Sequence, residues 1–469
     1  MSAACIEALR AILGDKGLRT GEDIPQAHYT DWSGHTPTRP LALLLPASTE
    51  EASQVLRICH AHRIPITPQG GLTGMAGGAI PAADTVALSL ARMNAIESVD
   101  ASGATLQAQA GATLQSIQEA ARNVGMLFGV DLGARGSCQI GGNISTNAGG
   151  MEVLQYGMMR EQVLGLEVVL ADGTVLPMLR PMLKNNTGYD LKQWFIGAEG
   201  TLGIVTRALL RLRPAPRHRA TALLGLPRYE AALTVLGRLQ QHFPGALTSF
   251  ELMWDDFYET SLQWMQTRSA MAGKHPFYAL IAVVGNDAAA LAEQLQETLG
   301  HAMEDGELSD AVVAQSETQA AALWRVREAP AEFPTRMDPI NFDVSLPLTK
   351  IGAVAQACAD EMRKRWPNLP QPAMLRFGHI GDSNLHISVN ARHIPAASRE
   401  EAEHQVDDLV YTLVSKAGGS ISAEHGIGTI KQPYLPACRT PAELAAMRAL
   451  KEALDPLDLL NPGKVLVLR

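Results

Sequence analysis

PQGGLTGMAGGAIP, residues 68–81, is the stretch whose reading decides the fold. It places five glycines in the nine positions from Gly70 to Gly78 and carries no charge. A short apolar run, 64–67, leads into it and reads as a strand. Without a Cβ, glycine lets backbone approach a ligand closely, and successive N–H groups in such a loop form an anion-binding nest. The loop therefore predicts phosphate binding, with a plain surface loop as the alternative. It lacks the G-x-G-x-x-G pattern, so a Rossmann dinucleotide fold is not indicated.

Upstream, residues 1–38 read as a short amphipathic helix and a loop, and 41–45 as a strand. Ser48 and Glu51 have the spacing of a capping box opening a helix to His62. Downstream, strand-like pieces at 86–88, 95–99 and 105–108 and a helix over 113–124 precede a second glycine cluster, DLGARGSCQIGGNISTNAGG, 131–150. A strand at 164–169 turns through Ala171-Asp172-Gly173-Thr174 into a return strand. A third loop, KNNTGYDLKQWFIGAEGTLGIVT, fills 184–206. Three glycine-bearing loops alternating with strands suggest one extended ligand laid along backbone amides.

A strand at 209–213 ends in Pro214-Ala215-Pro216, which marks a domain boundary. Beyond it, strands at 220–226, 247–253, 277–284, 311–313, 341–346, 375–377 and 385–389 alternate with helices at 229–243, 288–301, 316–327 and 348–365. This pattern predicts an antiparallel sheet with helices on one face. Helices at 400–417 and 441–454 follow, and the tail LDPLDLLNPGKVL ends in a short strand.

The net charge of −9 argues against a nucleic-acid protein. Five cysteines, with no CxxC pair, speak against a disulfide framework or an iron–sulfur cluster. No apolar run approaches the ~20 residues of a membrane span. The N-terminus does not read as a signal peptide. These features predict a cytoplasmic protein and leave peripheral membrane contact open.

RFGHIGDSNLHISV, 376–389, reads as strand, turn, strand. Gly381-Asp382-Ser383-Asn384 is turn chemistry, so His379 and His386 can converge from the two strands. Glu424-His425 lies in a second glycine-bounded run, GGSISAEHGIG. Two histidines and a carboxylate form a common ligand set for zinc and similar divalent metals. A satisfied core or turn histidine is the alternative at each position.

The runs PQGGLTGMAGG, DLGARGSCQIGGNISTNAGG, KNNTGYDLKQWFIGAEGTLGIVT, GHIGDSNLH, ISAEHGIG and NPGK occur in an order that resembles the FAD-linked oxidase superfamily of vanillyl-alcohol oxidase. Within it they resemble the D-2-hydroxyacid dehydrogenase branch. The resemblance spans 39–469 and implies an α+β fold: an FAD-binding domain of two subdomains over 39–215, a substrate cap over 216–415, and a C-terminal segment, 416–469, returning to the flavin. It implies that Gly70, Gly71, Thr73, Gly74 and Gly77 cradle the pyrophosphate. Ser137, Gly141, Gly142, Thr146 and Asn147 would line the ribityl chain and ring. Gly200, Gly203, Ile204 and Val205 would hold the flavin by backbone, and Asn461 would close over it. Members with a covalent flavin often carry a His beside the first glycine loop; Leu72 and Thr73 stand there, so FAD is expected to be noncovalent.

The implied chemistry is oxidation of a D-2-hydroxyacid to the 2-oxoacid, with hydride to flavin N5. His379, His386 and Glu424 are assigned as metal ligands, zinc first, with manganese and iron also compatible. His425 is assigned as the base, and Arg327 as the bidentate grip on the substrate carboxylate. Arg325 is read as structural or solvent-facing. Enzymes of the branch that act on D-2-hydroxyglutarate carry a Lys where this chain has Asn341, an Asn where it has Ser388, and a Thr where it has Ala331. Loss of charge or reach at these three positions points toward a lactate-like or more apolar substrate, while the overall sequence leans toward hydroxyglutarate. A flavoprotein or quinone is the expected electron acceptor, and a homodimer is left open. The rival readings are an oxidase using O2 and a non-catalytic flavin- or metal-binding module.

Overall fold

The computed structural model describes residues 1–468. The chain divides into two compact units. The first comprises Met1–Gly150, Tyr156–Ala215 and Glu424–Arg469; the second comprises Met151–Gln155 and Pro216–Ala423.

The first unit holds two main sheets. One has the order β1-β2-β4-β3, built from β1 (Leu18–Thr20), β2 (Ala42–Leu44), β3 (Ile66–Gln69) and β4 (Val86–Ser89). Its β2, β4 and β3 run parallel, with β1 antiparallel at the edge. The helix Thr49–Ala61 links β2 to β3. Ser48 Oγ accepts from the Glu51 N–H at 3.2 Å, as the capping pattern predicts, but the Glu51 carboxylate reaches back to the Ala47 N–H at 2.7 Å.

The second sheet is antiparallel, in the order β5-β6-β10-β8-β9. Its strands are β5 (Ile96–Asp100), β6 (Thr105–Gln109), β8 (Val163–Val169), β9 (Val175–Met178) and β10 (Ile204–Arg211). A small pair, β7 (Met126–Leu127) with β11 (Arg213–Pro214), sits beside it in sequence. Leu56, Ile66, Leu88, Leu106, Ile117, Val168 and Leu210 belong to one buried core. Burying apolar surface on this scale, at ~25 cal/mol per Å², is what offsets the chain entropy lost in ordering the loops.

Three local expectations are corrected. The strand expected at 209–213 starts at Ile204, because Ile204–Leu210 pairs with β8, with register shifts at Val205/Arg207 and Leu209/Leu210. The glycine cluster 131–150 contains a helix, Ile140–Ser145. Its Gly141 serves packing, since a Cβ there would meet the Ala110 Cβ at 2.7 Å. The C-terminal tail forms no strand among the described residues. Leu460 makes one isolated parallel bridge with Ile66, and positive φ at Asn461 (46°), Gly463 (74°) and Val465 (61°) breaks the extended run.

The second unit is built on a seven-stranded sheet, all antiparallel, in the order β15-β12-β14-β13-β17-β18-β16. Its strands are β12 (His218–Leu226), β13 (Leu247–Trp254), β14 (Phe277–Gly285), β15 (Asp310–Val313), β16 (Pro339–Ser345), β17 (Met374–His379) and β18 (Asn384–Asn390). Helices lie on both faces, not on one as expected. Tyr229, from the helix Tyr229–His242, packs on Trp254 and Phe277. On the opposite face, Met253, Tyr278 and Leu375 share a core with Phe257, Tyr258, Leu323 and Val326, from the helices Asp255–Trp264 and Glu317–Arg327. Every residue of β13 is buried, which requires cover on both sides. Among the described residues, no helix is long and apolar enough to cross a membrane.

Candidate active site

The two histidines that flank the 380–384 turn meet as the turn reading predicts. His379 ends β17 and His386 lies in β18. Their rings are 5.2 Å apart, nearly perpendicular at 82°. Ser383, in the left-handed region at φ 76°, closes the turn by donating its N–H to the Ile380 carbonyl at 3.1 Å. Gly381 serves close approach instead: a Cβ there would meet Leu154 Cδ2 at 2.8 Å.

Strand register then sorts the neighbours. Directly paired residues share a face of the sheet. Glu251 pairs with His379, Phe377 and Asp343 with His386, and Asn341 with Ser388. One face of β13-β17-β18-β16 therefore carries Glu251, His379, His386, Asp343, Ser388 and Asn341.

Glu251 is the residue that sequence reasoning missed. It is 1% exposed, and its carboxylate joins two expected site residues. Oε1 accepts from His379 Nδ1 at 2.6 Å and Oε2 from Arg327 Nε at 2.8 Å. Burial pushes the Glu251 carboxyl up, but His379 and Arg327 more than reverse this, so it sits below its ordinary value. Arg327 ends the helix Glu317–Arg327 and is 7% exposed, with its guanidinium carbon 4.7 Å from the Phe377 ring centroid. Arg325 is exposed, as expected. The available signal was a lone carboxylate in the apolar strand LTSFELMW, a position that demands a buried partner.

Beyond His386, Ser388 Oγ donates to Asn341 Oδ1 at 2.7 Å. Two residues before His386, Asn384 is 3% exposed, and neither of its side-chain amide atoms has a hydrogen-bond partner. Ala331, Arg336 and Lys350 are exposed; Lys350 Nζ donates to the Ala417 carbonyl at 3.0 Å.

In the first unit the glycine loops meet backbone to backbone. A Cβ on Gly71 would lie 2.1 Å from the Ser137 carbonyl oxygen, and one on Gly70 would lie 3.4 Å from the Gly142 Cα. Thr146 Oγ1 donates to the Gly142 carbonyl, and Asn147 Oδ1 accepts from the Arg160 N–H at 2.9 Å. Gly200 packs on Pro68 and Gly203 on Val168, each too closely for a side chain. Ile204 and Val205 pair with Val169 and Val168 in β10–β8, their side chains in the core.

The segment after His425 is bound to the same loop. Thr429 and Ile430 donate their N–H groups to the Ala76 carbonyl, and a Cβ on Gly77 would strike Thr429 Oγ1 at 2.5 Å. The buried Glu199 carboxylate accepts from Ile427 N–H at 2.6 Å and Gly428 N–H at 2.8 Å. Burial raises the Glu199 carboxyl above its ordinary value against the pull of these two amides. Glu424 Oε1 accepts from the Gly150 N–H at 2.7 Å, and His425 is half-buried.

Both expected groups fit the residues present. For FAD, the glycine loops leave no room for side chains where they meet, and the buried Asn461 Oδ1 has no hydrogen-bond partner. For a divalent metal, His379 and His386 share one face, and Asn384 presents an unsatisfied amide beside them.

The comparisons with known proteins support the flavin. Residues 215–465 match the family of FAD linked oxidases, C-terminal domain, and residues 40–178 match the FAD binding domain. The D-2-hydroxyglutarate dehydrogenase of Xanthomonas citri pv. viticola is 40% identical over 445 residues, covering 93% of this chain and 92% of that protein. The mitochondrial D-2-hydroxyglutarate dehydrogenase of Rattus norvegicus is 36% identical over 465 residues, covering 99% and 85%. The fold matches p-cresol methylhydroxylase at a TM-score of 0.76 and 17% identity, over 99% of this chain and 96% of that one. The α+β, vanillyl-alcohol-oxidase-type architecture implied by the order of the six motifs is the one observed, and this chain belongs to the FAD-linked oxidase family.

Proposed function

We propose that this protein oxidises a D-2-hydroxyacid to the 2-oxoacid with noncovalent FAD. The observation that carries the reading is the buried Arg327–Glu251–His379 cluster beside His386, in a chain whose relatives are named D-2-hydroxyglutarate dehydrogenases. When bound, FAD supplies the hydride acceptor and a divalent cation supplies a Lewis acid for the C2 oxygen. The Arg327 guanidinium grips the substrate carboxylate through its Nη atoms, since Nε is committed to Glu251. His379 and His386 supply imidazole ligands and Glu424 a carboxylate. Support for including Glu424 comes from the chain path: it directly follows Ala423, whose N–H donates to Asp343 Oδ2 at 3.2 Å, and Asp343 pairs with His386. His425 takes the hydroxyl proton on its imidazole. Zinc suits this ligand set, as do manganese and iron.

D-2-hydroxyglutarate is the first substrate to test, on the strength of the relatives. The Ser388–Asn341 pair supports a second reading, a substrate with an uncharged side chain, because that pair offers hydrogen bonds and no cation. Four buried thiols outside any disulfide, Cys5, Cys59, Cys138 and Cys358, support a reducing compartment such as the cytoplasm, with a flavoprotein or quinone as electron acceptor. The test is anaerobic mixing of the holoprotein with D- and L-2-hydroxyacids while flavin absorbance is followed. Bleaching by D-acids is expected; bleaching by L-acids alone, or by none, would sink the proposal. Release of the flavin by acid precipitation checks that it is noncovalent.

A further inference from the structure

Glu251 sits where neither a lone ion pair nor a lone histidine partner would need it. Its two carboxylate oxygens are divided between two residues of different chemistry, His379 Nδ1 at 2.6 Å and Arg327 Nε at 2.8 Å. All three groups are buried: Glu251 is 1% exposed, His379 8% and Arg327 7%. They reach this point from separate elements, β13, β17 and the end of the helix Glu317–Arg327.

We infer that Glu251 is a positioning residue that sets the metal-binding and carboxylate-binding halves of the site at once. An ionised carboxylate only accepts hydrogen bonds, so the His379 nitrogen facing it carries the proton. That fixes the Nδ1–H tautomer and makes Nε2 the lone-pair nitrogen, the one a metal uses. Carboxylate–histidine–metal pairings of this kind set ring orientation and ligand basicity. The other oxygen holds Arg327 by Nε and so sets the direction of its Nη pair. A second, half-buried pair in this unit, Arg376 with Asp256, serves as the structural comparison.

The inference rests on the metal and carboxylate assignments proposed above, and one set of variants separates the two. Holoproteins are compared for zinc retained in a chelator competition and for kcat and KM with the hydroxyacid that bleaches the flavin. Glu251→Gln keeps the shape but offers His379 Nδ1 an N–H, which reverses the tautomer. Zinc affinity should fall about 10- to 100-fold, as for other outer partners of metal-bound histidines, and KM should rise in the same variant. Arg327→Lys should raise KM and leave zinc affinity within twofold. Asp256→Asn should lower thermal stability without changing zinc affinity. Glu251→Gln with unchanged zinc retention and KM overturns the inference while leaving the functional reading intact. A wild-type protein that binds no zinc, manganese or iron defeats both. Should Glu251→Gln not accumulate as folded flavoprotein, Glu251→Asp decides. Its shorter carboxylate cannot span both partners, so zinc affinity or KM must still worsen at least tenfold, and an Asp variant unchanged in both overturns the inference.

Discussion

Asn461 is tied to Glu199 through the main chain: its Nδ2 donates to the Glu199 carbonyl at 2.8 Å, and also to the Gly78 carbonyl at 3.1 Å. The C-terminal NPGK turn is thereby fixed to both the first and third glycine loops. Losing two buried hydrogen bonds costs on the order of 1–3 kcal/mol. Asn461→Ala is therefore expected to weaken FAD binding about tenfold or more, read as flavin fluorescence released on dilution. Unchanged FAD retention would remove Asn461 from the cofactor site.

The clip behind this turn is a buried ion pair. Lys451 Nζ donates to Asp455 Oδ2 and to the carbonyls of Thr201 and Leu460, while Asp455 accepts from the Leu459 and Leu460 N–H groups. Breaking one partner of a buried pair strands the other charge, at a cost of about 3–5 kcal/mol. Asp455→Ala should lower the thermal midpoint of the FAD-bound protein by several degrees, whereas replacing the exposed Asp305 should leave it nearly unchanged.

Much of this was legible in the sequence because the signals were local. Thr113 and Ser316 cap the helices expected after them, and the 348–365 and 441–454 helices have the predicted bounds. The histidine turn was readable from four residues. The lone carboxylate of Glu251 in an apolar strand signals a buried partner, but not which one, because its partners lie 76 and 128 positions away. The helix Ile140–Ser145 was hidden for the opposite reason: its Gly141 looks like a loop residue until the neighbour it admits, Ala110, is known.

Substrate choice turns on Asn341 and Ser388. Asn341→Lys puts a cation on the face that holds His386, two positions from Asp343. The ratio of kcat/KM for D-2-hydroxyglutarate to that for D-lactate should rise at least tenfold, about 1.4 kcal/mol of discrimination. A ratio that stays flat would place the distal carboxylate elsewhere.

Metal dependence is checked by removal and return. Dialysis of the holoprotein against a chelator should abolish substrate-driven flavin bleaching with FAD still bound, and zinc or manganese should restore it. His386→Ala should lower turnover by ~10²-fold or more and should not respond to added metal. Full turnover in either case would sink the metal-assisted reading.

Thiol chemistry gives a test independent of activity. Burial pushes the Cys59 and Cys358 thiols up to about 12, and Cys5 and Cys138 are raised and buried as well. At pH 8 a thiol reagent should modify the half-buried Cys438 in the native protein and all five cysteines in denaturant. The sign for stability follows. With folded values above the unfolded one, the contribution of Cys59 and Cys358 is whole below about pH 9. It is lost as pH climbs toward 12, so Cys59→Ala should flatten the alkaline fall in the thermal midpoint.

The order in which the units are written along the chain has a consequence for biosynthesis. The sheet of the second unit is complete once Asn390 has left the ribosome. The first unit still lacks Lys451, Asp455 and Asn461 at that point, although its larger part precedes the second unit in the chain. Domains tend to fold as units during synthesis, so the younger stretch of polypeptide should mature before the older one. Loading of the flavin then waits until Asn461 has emerged.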